Sequence, residues 1–264
     1  MYHLTPETDV ALRVLETLRG SRAVLLEGFP GTGKTAFSEF LAVRWGAEYL
    51  YYLCHHWTSD EELFVSVHVG RVAAGVDKPQ DAYEYGVLTK SALASRRGPV
   101  VLCIDEIDKA PQRAESLLLD FLQNGRVVLP DGQVIQAVLE NLAVVITTNG
   151  IRPLMEATLR RCFRVAMGFL PPHVEAQVLR EKTGAKTGVV RLVVTMMNTI
   201  RSRGATKPSL QEGWRLLETM AAAKSAKDVE LLLRGWLCKE PEDWAALAGE
   251  YKDPAAALWG EWRR

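Results

Sequence analysis

Two short stretches hold residue types at spacings that chemistry needs. In LEGFPGTGKTAFSEF (residues 26–40), Gly28, Gly33, Lys34 and Thr35 satisfy G-x-x-x-x-G-K-[ST] between an apolar run and a helical pattern. Glycines let backbone N–H groups turn toward one anion, and a helix that begins at the lysine adds its partial positive charge. Gly28, Pro30, Gly31, Thr32, Gly33, Lys34 and Thr35 are therefore expected to hold phosphates, with Lys34 on the terminal ones and the Thr35 hydroxyl offered to Mg²⁺. The second stretch is VVLCIDEIDKA (residues 100–110), a buried run ending in two adjacent acids. Asp105 is placed to hold Mg²⁺ through its water shell, and Glu106 to polarise an attacking water. Acids with different duties point to hydrolysis rather than transfer to a second substrate.

The elements that position these groups follow from hydrophobic period. Residues 7–18 have helical spacing, and residues 23–26 form a short buried strand that enters the glycine loop. Three more apolar runs, 49–54, 100–104 and 142–148, alternate with helical segments, which predicts an α/β fold with a parallel P-loop sheet and flanking helices. After Pro171-Pro172 five consecutive segments have helical period, so residues 1–170 are expected to be the nucleotide-binding domain and 171–264 an all-helical domain with a tail. Within the first, the two β-type runs around Pro130-Asp131-Gly132 predict a hairpin near 126–136. The run VVITTN ends in Asn149, which can orient water or touch a phosphate, or simply turn the chain with Gly150; Thr148 is the second choice. In EATLRRCF, Arg160 and Arg161 close a helical segment. A guanidinium there can fork onto phosphate oxygens, or complement the helix end.

Composition narrows the classes. The 264 residues are 48% hydrophobic, enough for sizeable cores, and the 32 basic and 32 acidic residues cancel. Whole-molecule attraction to nucleic acid or to anionic membrane is not supported. Four scattered cysteines in no metal spacing read as free thiols. His55 and His56 are neighbours in an extended run and would face opposite ways, which argues against zinc. No apolar run is long enough to cross a bilayer, and the first ten residues lack a basic-then-apolar signal, so a cytoplasmic location is expected.

Taken in order, GFPGTGKT, LCIDEIDKAP, LLLDFLQNGRVVLPDGQVI, VVITTNG, EATLRRCF and KPSLQEGWRLL resemble an AAA+ ATPase, most similar to the MoxR-like, dynein-related branch, over roughly residues 7–250. The resemblance implies ATP and Mg²⁺ as ligands, Asn149 as first sensor and Arg161 as an arginine finger acting on a neighbouring subunit. Arg160 stands where many relatives carry an acid, which leaves the choice of finger open. The hairpin resembles one that faces a ring's central channel. A second-sensor arginine is replaced by Gln211, with Arg203, Lys207 and Arg215 nearby. The family implies a homo-oligomer, a hexameric ring or spiral, that remodels or assembles protein substrates or inserts metal or cofactor. A partner with a von Willebrand factor A domain is implied too. The rivals are a slow nucleotide-gated switch or scaffold, and a nucleic-acid motor or GTP-using restriction subunit. Trp214, Trp236 and Trp244 read as core; Trp259 and Trp262 could dock on a partner or fold back.

Overall fold

The computed structural model describes residues 2–73, 75 and 79–264. Two units make up the chain: Met1–Gly28 with Gly33–Met167, and Phe29–Thr32 with Gly168–Arg264.

In the first unit, helix α1 (Pro6–Thr17) leads to strand β1 (Arg22–Glu27), helix α2 (Lys34–Trp45) and strand β2 (Glu48–Leu53). Next come α3 (Asp60–Leu63), β3 (Val65–Val67), α4 (Val69–Ala73), β4 (Tyr83–Tyr85), α5 (Val87–Ser95) and β5 (Val100–Asp105). The unit closes with α6 (Gln112–Asn124), β6 (Arg126–Val128), β7 (Val134–Gln136), β8 (Leu142–Thr148), α7 (Glu156–Leu159) and β9 (Phe163–Ala166). Five strands form one parallel sheet in the order β2-β5-β8-β1-β9. Both central strands β5 and β8 are buried at every position, as a parallel sheet covered on both faces requires. Alternate residues divide between the faces. Ala23, Leu25, Val100, Leu102 and Ile104 join α5 and α6 residues in one cluster, while Val24, Leu26 and Val101 join Leu12, Phe37 and Leu41 in the other.

β6 and β7 pair antiparallel, Val127 opposite Ile135, at the expected hairpin. Two features escape the hydrophobic pattern. The edge strand β9 has four residues of which only Val165 is buried, so it has no apolar run to announce it. α7 is consequently a single turn, and EATLRRCF passes from helix into strand rather than ending a helix. The pair β3–β4 is similarly short and half-exposed.

The second unit contains α8 (Pro172–Thr183), α9 (Thr187–Arg203), α10 (Leu210–Thr219), α11 (Ala226–Trp236), α12 (Pro241–Glu250) and α13 (Pro254–Arg263). Ser209 and Ser225 begin α10 and α11 with reciprocal caps, each side chain accepting from the backbone three residues on. Val193, Met197, Leu216, Leu233 and Leu258 lie in its core, and Trp214, Trp236, Trp244, Trp259 and Trp262 all pack against it. The two C-terminal tryptophans therefore fold back on their own unit. Inside it, Glu175 and Arg201 form a buried bidentate ion pair, both oxygens receiving guanidinium N–H bonds at 2.8 Å.

All four cysteines are free, and burial pushes each thiol up to about 12. Folded thiols keep protons that the unfolded chain releases near pH 9, so this stabilisation is whole below that pH and is lost as pH rises toward about 12. At pH 8 the native chain is expected to react with a thiol reagent at least ~10²-fold more slowly than the same chain in denaturant. Stopped-flow alkylation measures the difference, and equal rates would contradict the buried placement.

Candidate nucleotide site

The glycine loop joins β1 to α2. Gly33 stands at φ 92°, a left-handed conformation that a side chain would strain, and it precedes α2 without any side-chain cap. The first N–H groups of α2 therefore remain available to an anion. Pro30, Gly31 and Thr32 belong to the four residues that group with the second unit, and there the Thr32 hydroxyl donates to the Phe29 carbonyl at 2.9 Å.

Strand order decides what meets beside this loop. Because β8 lies between β1 and β5, the residue after β8 falls between the helix start that carries Lys34 and the acids that follow β5. That residue is Asn149. Its Oδ1 accepts from Lys34 Nζ at 2.9 Å, and its Nδ2 donates to Glu106 Oε1 at 2.8 Å. Lys34 Nζ also donates to the Gly28 carbonyl at 2.8 Å. Burial pushes the Lys34 ammonium below the ordinary lysine range, opposed by the nearby Asp105, Glu106 and Asp108 carboxylates. A nearby phosphate would act in the same direction as those acids.

Asp105 is the second centre. The Thr35 hydroxyl lies 3.1 and 3.2 Å from its two oxygens, Thr147 Oγ1 donates to Oδ1 at 2.5 Å, and Tyr51 Oη donates to Oδ2 at 2.9 Å. Thr147 also accepts from the Glu106 backbone N–H at 2.9 Å, so one hydroxyl ties both acids. Glu106 is the one described non-glycine residue with positive φ, at 55°. Its Oε2 is 2.5 Å from Lys109 Nζ, and that contact raises the Lys109 pKa. Asp108 Oδ2 accepts backbone N–H bonds from Asn149 and Ile151 at 3.2 and 2.9 Å, strapping the segment after β8 to the turn after β5.

Among the described residues no group of three or more His, Cys, Asp or Glu could hold a metal. The donor set instead fits Mg²⁺ carried by phosphates: a hydroxyl, Thr35, beside a carboxylate, Asp105, that can accept from the cation's waters. Such a cation would offset the charge of bound phosphates.

Of the expected site residues, Gly28, Gly33, Lys34, Thr35, Asp105, Glu106 and Asn149 are brought together. Arg160 and Arg161 sit after α7. The Arg160 side chain is 74% exposed and paired with Glu156. Arg161 is partly buried, donating to the Ala157 carbonyl and to Gln123 Oε1, each at 2.7 Å. Thr147, Tyr51, Asp108 and Lys109 were not anticipated. Their types are unremarkable alone, and only strand register or a turn aims them at the acids. Thr148, the second choice for Asn149, receives the Gly150 N–H at 3.0 Å. In the second unit, Lys207 donates to the Arg201 carbonyl, while Arg203 and Arg215 pair with Glu250 and Glu218.

A parallel sheet whose first strand enters a glycine loop and helix, with an acid-tipped strand beyond one intervening strand, defines a P-loop nucleotide-binding protein. A family model described as AAA domain (dynein-related subfamily) matches residues 23–163, more than half of the chain, which therefore belongs to the AAA+ ATPases of that subfamily. One curated relative, the uncharacterized protein YeaC of Bacillus subtilis, is 30% identical over 180 residues, covering 65% of this chain and 50% of the relative. The chain thus spans about half the length of the curated relative it matches. Among solved structures, a Thermotoga maritima RuvB point mutant superposes with a TM-score of 0.54 at 17% identity, over 96% of this chain and 80% of that one. A second, the Thermotoga maritima RuvB Holliday junction branch migration motor, gives 0.50 at 18% identity over 94% and 70%. Both show likeness of fold. No helix among the described residues is long and apolar enough to cross a membrane.

Proposed function

We propose that the chain is a Mg²⁺-dependent ATPase working as a MoxR-like homo-oligomer on partner proteins. The observation that carries the reading is the linked pair of centres: Lys34–Asn149–Glu106 on one side, Thr35–Asp105–Thr147 on the other. Lys34 and the α2 N-terminus hold the terminal phosphates. Thr35 and Asp105 hold the cation and its waters. Glu106 takes a proton from the attacking water, and Asn149, touching both Lys34 and Glu106, aligns that water with the terminal phosphate.

Arg161 is proposed as the group that reaches a neighbour's nucleotide. Its two bonds to Gln123 and Ala157 fix the guanidinium before reaction, and a pre-set charge loses less than a mobile one. Arg160, on the surface with Glu156, lacks that fixation. A site completed by a neighbour requires an oligomer, and the family likeness supports a ring or spiral, a protein substrate and a partner with a von Willebrand factor A domain, while the four free thiols support a cytoplasmic setting.

The test is Mg²⁺-dependent ATPase rate per subunit against protein concentration. The rate is expected to climb and saturate. Arg161→Ala flattens the climb, whereas Arg160→Ala keeps the wild-type profile within a factor of about 3. A flat wild-type profile across verified monomer and oligomer would overturn the role in trans. One contact favours a second reading, the slow switch: Lys109 and Asn149 between them engage both Glu106 oxygens. Mg²⁺-dependent nucleotide binding without turnover would move the assignment there.

A further inference from the structure

Strand β2 reads Glu-Tyr-Leu-Tyr-Tyr-Leu, and its alternation sends Leu50 and Tyr52 to one face and Tyr49 and Tyr51 to the other. The two tyrosines on that second face do different things. Tyr49 Oη is 2.9 Å from Ser38 Oγ on α2, and Ser38 in turn donates to the Thr35 carbonyl at 2.7 Å. Tyr51, its ring centroid 6.5 Å from that of Tyr49, is one rung nearer the C-terminal edge of the sheet. β2 pairs with β5 in a register that sets Tyr51 opposite Cys103, two residues before Asp105. The phenol is long enough to cover that distance along the sheet, and its hydroxyl donates to Asp105 Oδ2 at 2.9 Å.

Asp105 is thereby gripped from both sides, Oδ1 by Thr147 and Oδ2 by Tyr51, with Thr35 at 3.1 and 3.2 Å from the two oxygens. A carboxylate with one anchored oxygen can rotate about its last bond; one anchored at both cannot without breaking a charge-assisted hydrogen bond. A tyrosine needed only to cover the edge of the sheet would gain nothing from this hydroxyl, since Tyr51 is 46% exposed and could turn the group to water.

We propose that Tyr51 is a positioning residue of the nucleotide site, fixing the plane of the Asp105 carboxylate so that its remaining lone pairs meet the water shell of a Mg²⁺ ion brought with the nucleotide. The inference rests on the ATPase reading above. It assigns Tyr51 no contact with nucleotide, so its effect belongs to the cation alone. Partners of this kind, one step behind a metal-holding group, commonly contribute 10–100-fold to affinity.

The experiment measures binding of a fluorescent ADP by anisotropy, once in EDTA and once in saturating Mg²⁺, for wild type and Tyr51→Phe. The phenylalanine keeps the ring and its packing and removes only the donor. Wild type is expected to bind more tightly with Mg²⁺. Tyr51→Phe is expected to match wild type in EDTA and to lose about 10-fold or more of the Mg²⁺-dependent gain. An unchanged gain would overturn the role of Tyr51 and leave the ATPase reading standing. An equal loss in EDTA and in Mg²⁺ would also overturn it, because Tyr51 would then be supporting the loop as a whole. Absence of any nucleotide binding by wild type would overturn both readings. Tyr49→Phe serves as the neighbouring control, and its Mg²⁺-dependent gain is expected to equal that of wild type.

Discussion

Glu106→Gln is expected to slow ATP hydrolysis by about 10²–10⁴-fold while leaving nucleotide affinity within a few-fold of wild type. The amide occupies the same volume, and its oxygen can still accept from Asn149 Nδ2, as Glu106 Oε1 does at 2.8 Å. The backbone bond from residue 106 to Thr147 does not depend on the side chain, so Asp105 keeps its bond from that threonine. What disappears is the oxygen proposed to take the water's proton, together with the ion pair to Lys109. That pair involves a partly exposed lysine and contributes little to stability. Single-turnover hydrolysis and an independent binding titration separate the two quantities. Wild-type turnover in the variant would remove Glu106 from the chemistry and with it the strongest ground for hydrolysis.

Glu175→Ala is expected to destabilise the helical unit by about 3–5 kcal/mol. Glu175 in α8 is 1% exposed and accepts both guanidinium bonds of Arg201 from α9. Arg201 is equally committed elsewhere. Its Nε donates to the Pro208 carbonyl at 2.7 Å and its guanidinium carbon lies 3.8 Å from the centre of the Phe169 ring. Removing the carboxylate therefore leaves a buried cation that cannot move to water without tearing those contacts, and the cost is chiefly that of the stranded charge. Five of the seven tryptophans lie in this unit, so fluorescence-monitored urea unfolding reports on it directly. Replacing both partners, Glu175→Met with Arg201→Met, is expected to recover most of the loss. A single variant as stable as wild type would show that the pair is not desolvated in solution.

The phosphate loop, the adjacent acids and Asn149 were legible because each is specified within a few residues, by a strand that ends where polar side chains begin. The sheet was legible for four of its five strands for the same reason: β1, β2, β5 and β8 carry apolar runs, and β9 does not. Tyr51 and Thr147 were not legible, since their meeting at Asp105 is a product of register across three strands. Lys109 lay in plain view three residues after Glu106, yet its ion pair depends on the tight turn that the left-handed Glu106 begins. The arginines show the remaining limit. Composition and spacing made Arg160 and Arg161 equivalent, and only folding gave one a fixed partner in α6 and left the other to the surface.

The backbone of Glu106, φ 55° and ψ 50°, carries a consequence for descent as well as for chemistry. A left-handed non-glycine residue costs about 1–2 kcal/mol, and the contacts of residue 106 with Thr147, Asn149 and Lys109 act against that cost. A lineage that kept the fold but gave up turnover would be released from the acid while keeping the turn. Glycine or asparagine there would relieve the backbone, so on the proposed ATPase reading descendants that bind nucleotide without turning it over should be recognisable by an altered residue 106 beside an intact Lys34 and Asp105.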